Sequence, residues 1–262
     1  MSNHNGRDFI NELYAEVATG AICITLLPQK QSIWIDASEK EKIYDVLQEH
    51  QDTNVYLGLC PSVTPKSAYQ RTTRDSASMF LAIVVDIDVF NPEAHAQEAL
   101  PKTKNEALEF IKSLELPEPS AINDSGNGYQ ALWFLENPLL LTDEESKKKA
   151  EYLSFGINEL IIEEGRKRGW KFDNVGDLAR IIRAPDTMNM KGKVPKRTKA
   201  LELSKKRYSY DVLISYLPEP ETEIDNLTTF KCFKKEVAVS DTEADFQAVF
   251  ACLLYTSPSP RD

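Results

Sequence analysis

The chain is predicted to fold as one mixed α+β domain over residues 1–216. Three observations point there: three Ser/Thr-x-x-Glu helix starts, eight short β-rich runs interleaved with them, and no long linker before about residue 217. In chain order, strands are expected at 21–27 and 32–35. A first helix follows, opened by Ser38 and Glu41 and carrying Ile43, Val46 and Leu47 at helical spacing. Strands at 54–59 and 80–88 come next, then a helix opened by Thr103 and Glu106 that carries Leu108, Ile111 and Leu114. Strands at 120–124 and 129–135 precede a longer helix, opened by Thr142 and Glu145, running through Tyr152, Phe155 and Leu160 to a stop near Gly165 or Gly169. The runs 178–184 and 199–204 complete the set.

Residues 217–251, rich in Pro and acids at "LPEPETEIDN", are expected to be a linker and the start of a truncated C-terminal region. The last eleven residues, "CLLYTSPSPRD" (252–262), resemble one reading frame of a sequencing adapter and are expected to be an artefact tail after Ala251.

No apolar run approaches the roughly 20 residues that a membrane-crossing helix needs, and "MSNHNGRDF" lacks a signal peptide's pattern, so a cytoplasmic protein without a membrane partner is expected. Cys23, Cys60, Cys232 and Cys252 form no C-x-x-C pair and the histidines are His4, His50 and His95, which argues against a zinc site or a disulfide framework. The net charge of −10 argues against a basic coat for nucleic acid. Locally the balance reverses: Lys191, Lys193, Lys196, Arg197, Lys199, Lys205, Lys206 and Arg207 face one acid, Glu202. That segment reads as a solvated basic loop or as a local positive field.

Three stretches carry chemistry. In "FLAIVVDIDVFNP" (80–92), Asp86 and Asp88 are two apart on a strand, so they share a face about 7 Å apart at the backbone, with Val85 and Ile87 on the other. Two such carboxylates repel unless a cation sits between them, and a hard divalent ion suits all-oxygen ligands. The alternative is a strand end whose acids cap a turn. In "NDSGNGYQALWFL" (123–135), Gly126 and Gly128 around Asn127 mark a hairpin turn, whose backbone N–H groups are also able to cradle phosphate oxygens. In "GDLARIIRAPDTMNMKGK" (176–193), Asp177 precedes a strand bearing Arg180 and Arg183, with Asn189 and Lys191 after a Pro-containing turn. Arginines there need anionic partners, either an internal aspartate or a phosphate-bearing ligand.

In this order the three stretches resemble the archaeo-eukaryotic primase superfamily, in particular the primase-polymerase domains of phages and plasmids. The matching residues are Asp86-Ile87-Asp88, then Ser125-Gly126-Asn127-Gly128-Tyr129-Gln130, then Asp177-Leu178-Ala179-Arg180 through Lys191, within a likeness over roughly residues 9 to 207. Two positions depart from the family pattern: Gln130 stands where it has the histidine that contacts nucleotide phosphates, and Asp186 replaces the glycine of a P-G-T turn.

The resemblance implies an antiparallel sheet like that of RNA-recognition domains, with flanking helices, packed on an N-terminal αβ module around a cleft. It implies template-directed nucleotidyl transfer on single-stranded DNA, in phage or plasmid replication within a bacterial host. Asp86, Asp88 and Asp177 would hold two Mg²⁺ or Mn²⁺ ions, with Asp173 as the reserve for Asp177. Ser125, Gly126, Asn127, Gly128, Gln130, Arg180, Arg183, Asn189 and Lys191 would bind the nucleoside triphosphate, and a replicative helicase domain would follow. Two other readings compete: a degenerate domain that binds single-stranded DNA or nucleotide without catalysis, and a D-x-D glycosyltransferase, which gives Arg180 and Arg183 no role.

Overall fold

The computed structural model describes residues 6–92 and 99–218. The linker and tail expected beyond residue 218 lie outside the described residues. Helix α1 (Gly6–Leu13) leads to strands β1 (Ala21–Leu27) and β2 (Gln31–Asp36), a 3-10 segment (Ala37–Lys42), α2 (Ile43–Glu49) and β3 (Asn54–Gly58). After β4 (Met79–Asp88) come α3 (Lys104–Ser113), β5 (Ala121–Asp124), β6 (Gly128–Leu140) and the long α4 (Glu144–Lys167). The described residues end with β7 (Ile181–Arg183), β8 (Met188–Asn189), β9 (Lys196–Arg197), β10 (Lys199–Leu203), β11 (Arg207–Tyr208) and α5 (Tyr210–Ile214).

These strands form two sheets. The first has the order β2-β1-β3-β8-β9, with β7 also on β3. The second has the order β10-β5-β6-β11, with β4 also on β6, and is antiparallel except at the short β6–β11 pairing. The αβ module anticipated at the N-terminus is therefore completed by β7 to β9, from more than 120 positions later in the chain; the β3–β7 register sets Tyr56 opposite Arg183.

Alternation along β4 and β6 divides the core in two. Ala82, Val84, Leu132 and Phe134 join a cluster with Ile22, Ile24, Val55 and Leu57 of the first sheet. Ile83, Val85, Ile87, Ala131 and Trp133 join Phe110, Leu153 and Ile157 of the helices. A sheet covered on both faces explains why β4 is apolar at nearly every position until Asp86.

Helix boundaries differ from expectation where a better cap stands nearby. Asp36, not Ser38, caps the 3-10 segment, accepting from the Ser38 N–H at 2.9 Å. Asp143, not Thr142, caps α4, in a reciprocal pair with Ser146. Carboxylates accept more strongly than hydroxyls and also suit the positive end of a helix. Thr103 does cap α3, as expected.

Helix α1 had no capping signature to announce it, although Phe9, Ile10 and Leu13 are all buried. Its exit is closed by Lys40, whose Nζ donates to the carbonyls of Tyr14, Ala15 and Val17 at 2.9, 2.9 and 3.0 Å. No helix among the described residues is long and apolar enough to cross a membrane.

Candidate active site

The site grows from the β4–β6–β5 register. Asp86 lies opposite Gln130, Asp88 opposite Gly128, and Asn123 of β5 opposite Gln130 on its other side. Opposed residues on antiparallel strands share a face. Asp86, Gln130 and Asn123 thus continue the face of Val84 and Leu132, at the point where the core between the two sheets ends. Asp86 and Asp88 project together, and Val85 and Ile87 pack on the helical side.

The turn before β6 is built for close approach. A Cβ at residue 128 would sit 2.4 Å from the Ile87 carbonyl oxygen and 2.8 Å from Asp88 Cα, so only glycine lets β6 run against the carboxylate end of β4. Gly126 holds φ at +94°, with its N–H donating to Asp124 Oδ1 at 2.8 Å, and Ser125 N–H donates to the Gly128 carbonyl at 3.0 Å. The third stretch is clipped to this turn: Asn189 Nδ2 donates to the Ser125 carbonyl at 2.7 Å, while Asn189 Oδ1 accepts from Lys191 N–H at 3.0 Å.

Arg183 joins the sheets. It is only 3% exposed, yet donates from Nη1 to Asn54 Oδ1 at 2.8 Å and from Nη2 to the Tyr56 hydroxyl at 2.7 Å, with its guanidinium 4.2 Å above the Tyr56 ring. Its backbone N–H donates to Gln130 Oε1 at 2.9 Å, and its carbonyl accepts from Asn123 Nδ2 at 2.7 Å. Burial lowers the Arg183 pKa, opposed by the nearby Tyr56 and Asp86. Arg180 differs. The strand expected from 178 begins only at Ile181, and Arg180 precedes it in a turn, paired with the Asp177 carboxylate and donating from Nε to the Val175 carbonyl at 3.0 Å. The two arginines are three apart in sequence, but one bridges the sheets and the other closes a local turn.

The acids sort similarly. Burial pushes the Asp88 pKa up to about 6; the Lys191 ammonium pulls it back and the Asp173 carboxylate adds to the rise. Asp177, besides pairing with Arg180, acts on Cys60, whose thiol burial pushes well up. Asp173 thus acts on Asp88, while Asp177 is held by Arg180. Among the described residues no three His, Cys, Asp or Glu side chains are gathered as a metal cage. The donor set is the Asp86/Asp88 pair, and it fits a hard cation that completes its shell with water and phosphate oxygens; a Mg²⁺-type site needs one or two carboxylates plus substrate.

The basic stretch divides. Lys205 and Arg207 pair with Glu12 at 3.1 and 3.6 Å, and Lys206 pairs with Glu118, so this end fastens the domain together. Lys193, Arg197 and Lys199 are exposed at the other end. Asn54, Tyr56 and Asn123 escaped the sequence reading, because only the pairing of β3 with β7 and of β5 with β6 brings them to Arg183.

No protein-family model and no curated protein matches the chain. Among solved structures it is similar to the archaeo-eukaryotic primase domain of the cyanophage S-2L primase-polymerase, at 12% identity and a TM-score of 0.53 over 81% of this chain and 97% of that one. It also aligns with primase RepB′, at 13% identity and a TM-score of 0.47 over 95% and 69%, and with the catalytic domain of primase RepB′ in complex with initiator DNA, at 15% and 0.46 over 81% and 93%. The cyanophage alignment gives the fold: that of an archaeo-eukaryotic primase domain, as the three sequence stretches implied.

Proposed function

We propose that the chain is a DNA primase-polymerase, a template-directed nucleotidyltransferase acting on single-stranded DNA. The observation that carries this is the pair Asp86 and Asp88 on one face at the end of a buried strand, opposite Gln130 and Gly128, in a fold shared with a primase-polymerase domain. Asp86 and Asp88 would hold Mg²⁺ or Mn²⁺, with Asp173 in preference to Asp177 as the third acid, since Asp177 is engaged by Arg180. Bound there, such ions lower the pKa of an attacking 3′-hydroxyl and neutralise the triphosphate and the departing pyrophosphate.

The protein's own groups position the substrate. Lys191 brings positive charge beside Asp88, at the end of β4 against which the Ser125–Gly128 turn packs. Gln130 has its oxygen engaged by the Arg183 backbone, so its amide nitrogen is the group that would donate to a phosphate. Arg183, whose charge is felt by Asp86, joins the sheets that flank the site. Asn189 holds the third stretch in place. The exposed Lys193, Arg197 and Lys199 would follow the template backbone, a contact that weakens steeply with salt. The reading extends to phage or plasmid replication in a bacterial cytoplasm, with a helicase domain beyond the linker.

The test is incorporation of labelled nucleotides by residues 1–251 on single-stranded DNA, primed and unprimed, in Mg²⁺ or Mn²⁺. Metal-dependent product that vanishes in the Asp86→Ala, Asp88→Ala double variant supports the reading, and product in the unprimed lane identifies a primase. One observation favours the non-catalytic alternative: Gln130 in the motif-histidine position spends its oxygen on fastening Arg183. Folded protein that binds single-stranded DNA in a salt-dependent way but incorporates nothing would decide for that alternative.

A further inference from the structure

A concavity of about 220 Å³ opens where β4 runs out, and its walls divide by chemistry. Val89, Phe90 and Pro92 form an apolar side; Lys104, Asn127 and Lys196 form a polar one. It begins one residue beyond Asp88, where Val89 N–H donates to the Asn127 carbonyl at 3.0 Å.

Asn127 is 4% exposed. Its Oδ1 accepts from Lys196 Nζ at 2.6 Å and from Asn91 Nδ2 at 3.2 Å, which orients the amide, while its buried Nδ2 has no hydrogen-bond partner among the described residues. A buried N–H left unmade is costly, and an acceptor brought by a ligand would remove that cost. The two lysines are not equivalent. Lys104 is neutralised by both oxygens of Asp124, at 2.6 and 2.7 Å, whereas among the described residues the Lys196 ammonium meets only a neutral amide oxygen. One surplus positive charge, one waiting donor and an adjoining apolar wall together suit an oxyanion attached to an organic group.

We infer that the Lys196–Asn127 pocket is a phosphate site, separate from the acid pair, that takes the phosphate of a nucleotide or of a nucleic-acid strand end. The inference rests on the nucleotide-handling reading above for the source of the phosphate. A phosphate held here and a cation on Asp86 and Asp88 would flank the end of β4 from two sides, giving one chain two handles on its substrates.

The test is titration calorimetry on the intact protein in EDTA, so that no metal on Asp86 and Asp88 contributes. The probes are inorganic tripolyphosphate, dTTP, and a ten-residue oligothymidylate with a 5′-phosphate or a 5′-hydroxyl. Tripolyphosphate is expected to bind, about tenfold more weakly to Lys196→Gln, the effect of one charge-assisted hydrogen bond. Lys196→Arg and the Asp86→Ala, Asp88→Ala double variant should bind within about threefold of the unaltered protein. Independently of any variant, the Asn127 side-chain amide signals in a ¹⁵N-correlated NMR spectrum should move on addition of tripolyphosphate. Preference for dTTP assigns the phosphate to a nucleotide; preference for the 5′-phosphorylated strand over the 5′-hydroxyl strand assigns it to a strand end.

Unchanged affinity in a folded Lys196→Gln, or static Asn127 signals, overturns the inference. Nucleotide incorporation by protein that fails these binding tests removes the pocket and leaves the polymerase; binding without incorporation does the reverse.

Discussion

Strands β4 and β6 are two molecules in one. Over Ala82–Val85 and Ala131–Phe134 every side chain is buried, half against the first sheet and half against α3 and α4. From the next residue pair onward, in the same ladder and register, the sheet carries Asp86, Asp88, Gly128, Gln130 and Asn123. Packing the apolar half contributes roughly 1.5–3 kcal/mol for each large side chain, whereas the polar half spends free energy on a carboxylate pushed up to about 6 and a guanidinium that is 3% exposed. A continuous strand is what allows this, because the rigid half aims the costly half.

The contrast can be broken at either end. Replacing Asp86 and Asp88 by Ala should cut nucleotide incorporation on the order of 10³-fold, while the thermal midpoint stays level or rises, since the proposed role of the pair is to hold a cation and not to pack the core. Trp133→Ala, in the apolar half, should do the opposite: a loss of about 3–5 kcal/mol in denaturant unfolding, with unchanged metal dependence in the fraction that remains folded. A Trp133 variant that folds normally but loses activity would erase the division.

Smaller changes sharpen it. Arg183→Lys keeps the charge but loses the planar fork shared by Asn54 and Tyr56, and should cost about 1–2 kcal/mol in urea unfolding. Arg180→Lys, in a half-buried local pair, should cost about 1 kcal/mol or less.

The last effect is a pH dependence in metal-free protein. The Asp88 pKa is raised in the fold, so its neutral form is favoured there; the stability it contributes is full below the ordinary carboxylate range and is lost as pH rises toward about 6. Asp88→Asn should therefore change stability by less than about 1 kcal/mol at pH 4 and raise it by about 2–3 kcal/mol at pH 7.5. Equal gains at both pH values would place the effect elsewhere.

The carboxylate platform was legible because a period of two is local: Asp86, Ile87 and Asp88 reveal their faces without any partner strand. The glycines of the turn were legible too, though the reason for Gly128, the Ile87 carbonyl 2.4 Å from its missing Cβ, was not. What stayed hidden depends on pairing across the chain. Nothing within 176–193 tells Arg183, which meets Asn54 and Tyr56, from Arg180, which turns back on Asp177. The choice between Asp173 and Asp177 beside Asp88 is of the same kind. So is β6, which runs past Pro138 to Leu140 because the register shifts between Phe80 and Ala82. Helix α1 was missed for a simpler reason, since Phe9, Ile10 and Leu13 have helical spacing but no capping box before them.

The most direct test of the central claim, that the polar end of β4 is a cation platform for nucleotidyl transfer, is Mn²⁺ binding followed by electron paramagnetic resonance, with and without a deoxynucleoside triphosphate. Bound Mn²⁺ is expected to tighten with nucleotide and to disappear in the folded Asp86→Ala, Asp88→Ala variant. Mn²⁺ binding that is identical in that variant would contradict that claim.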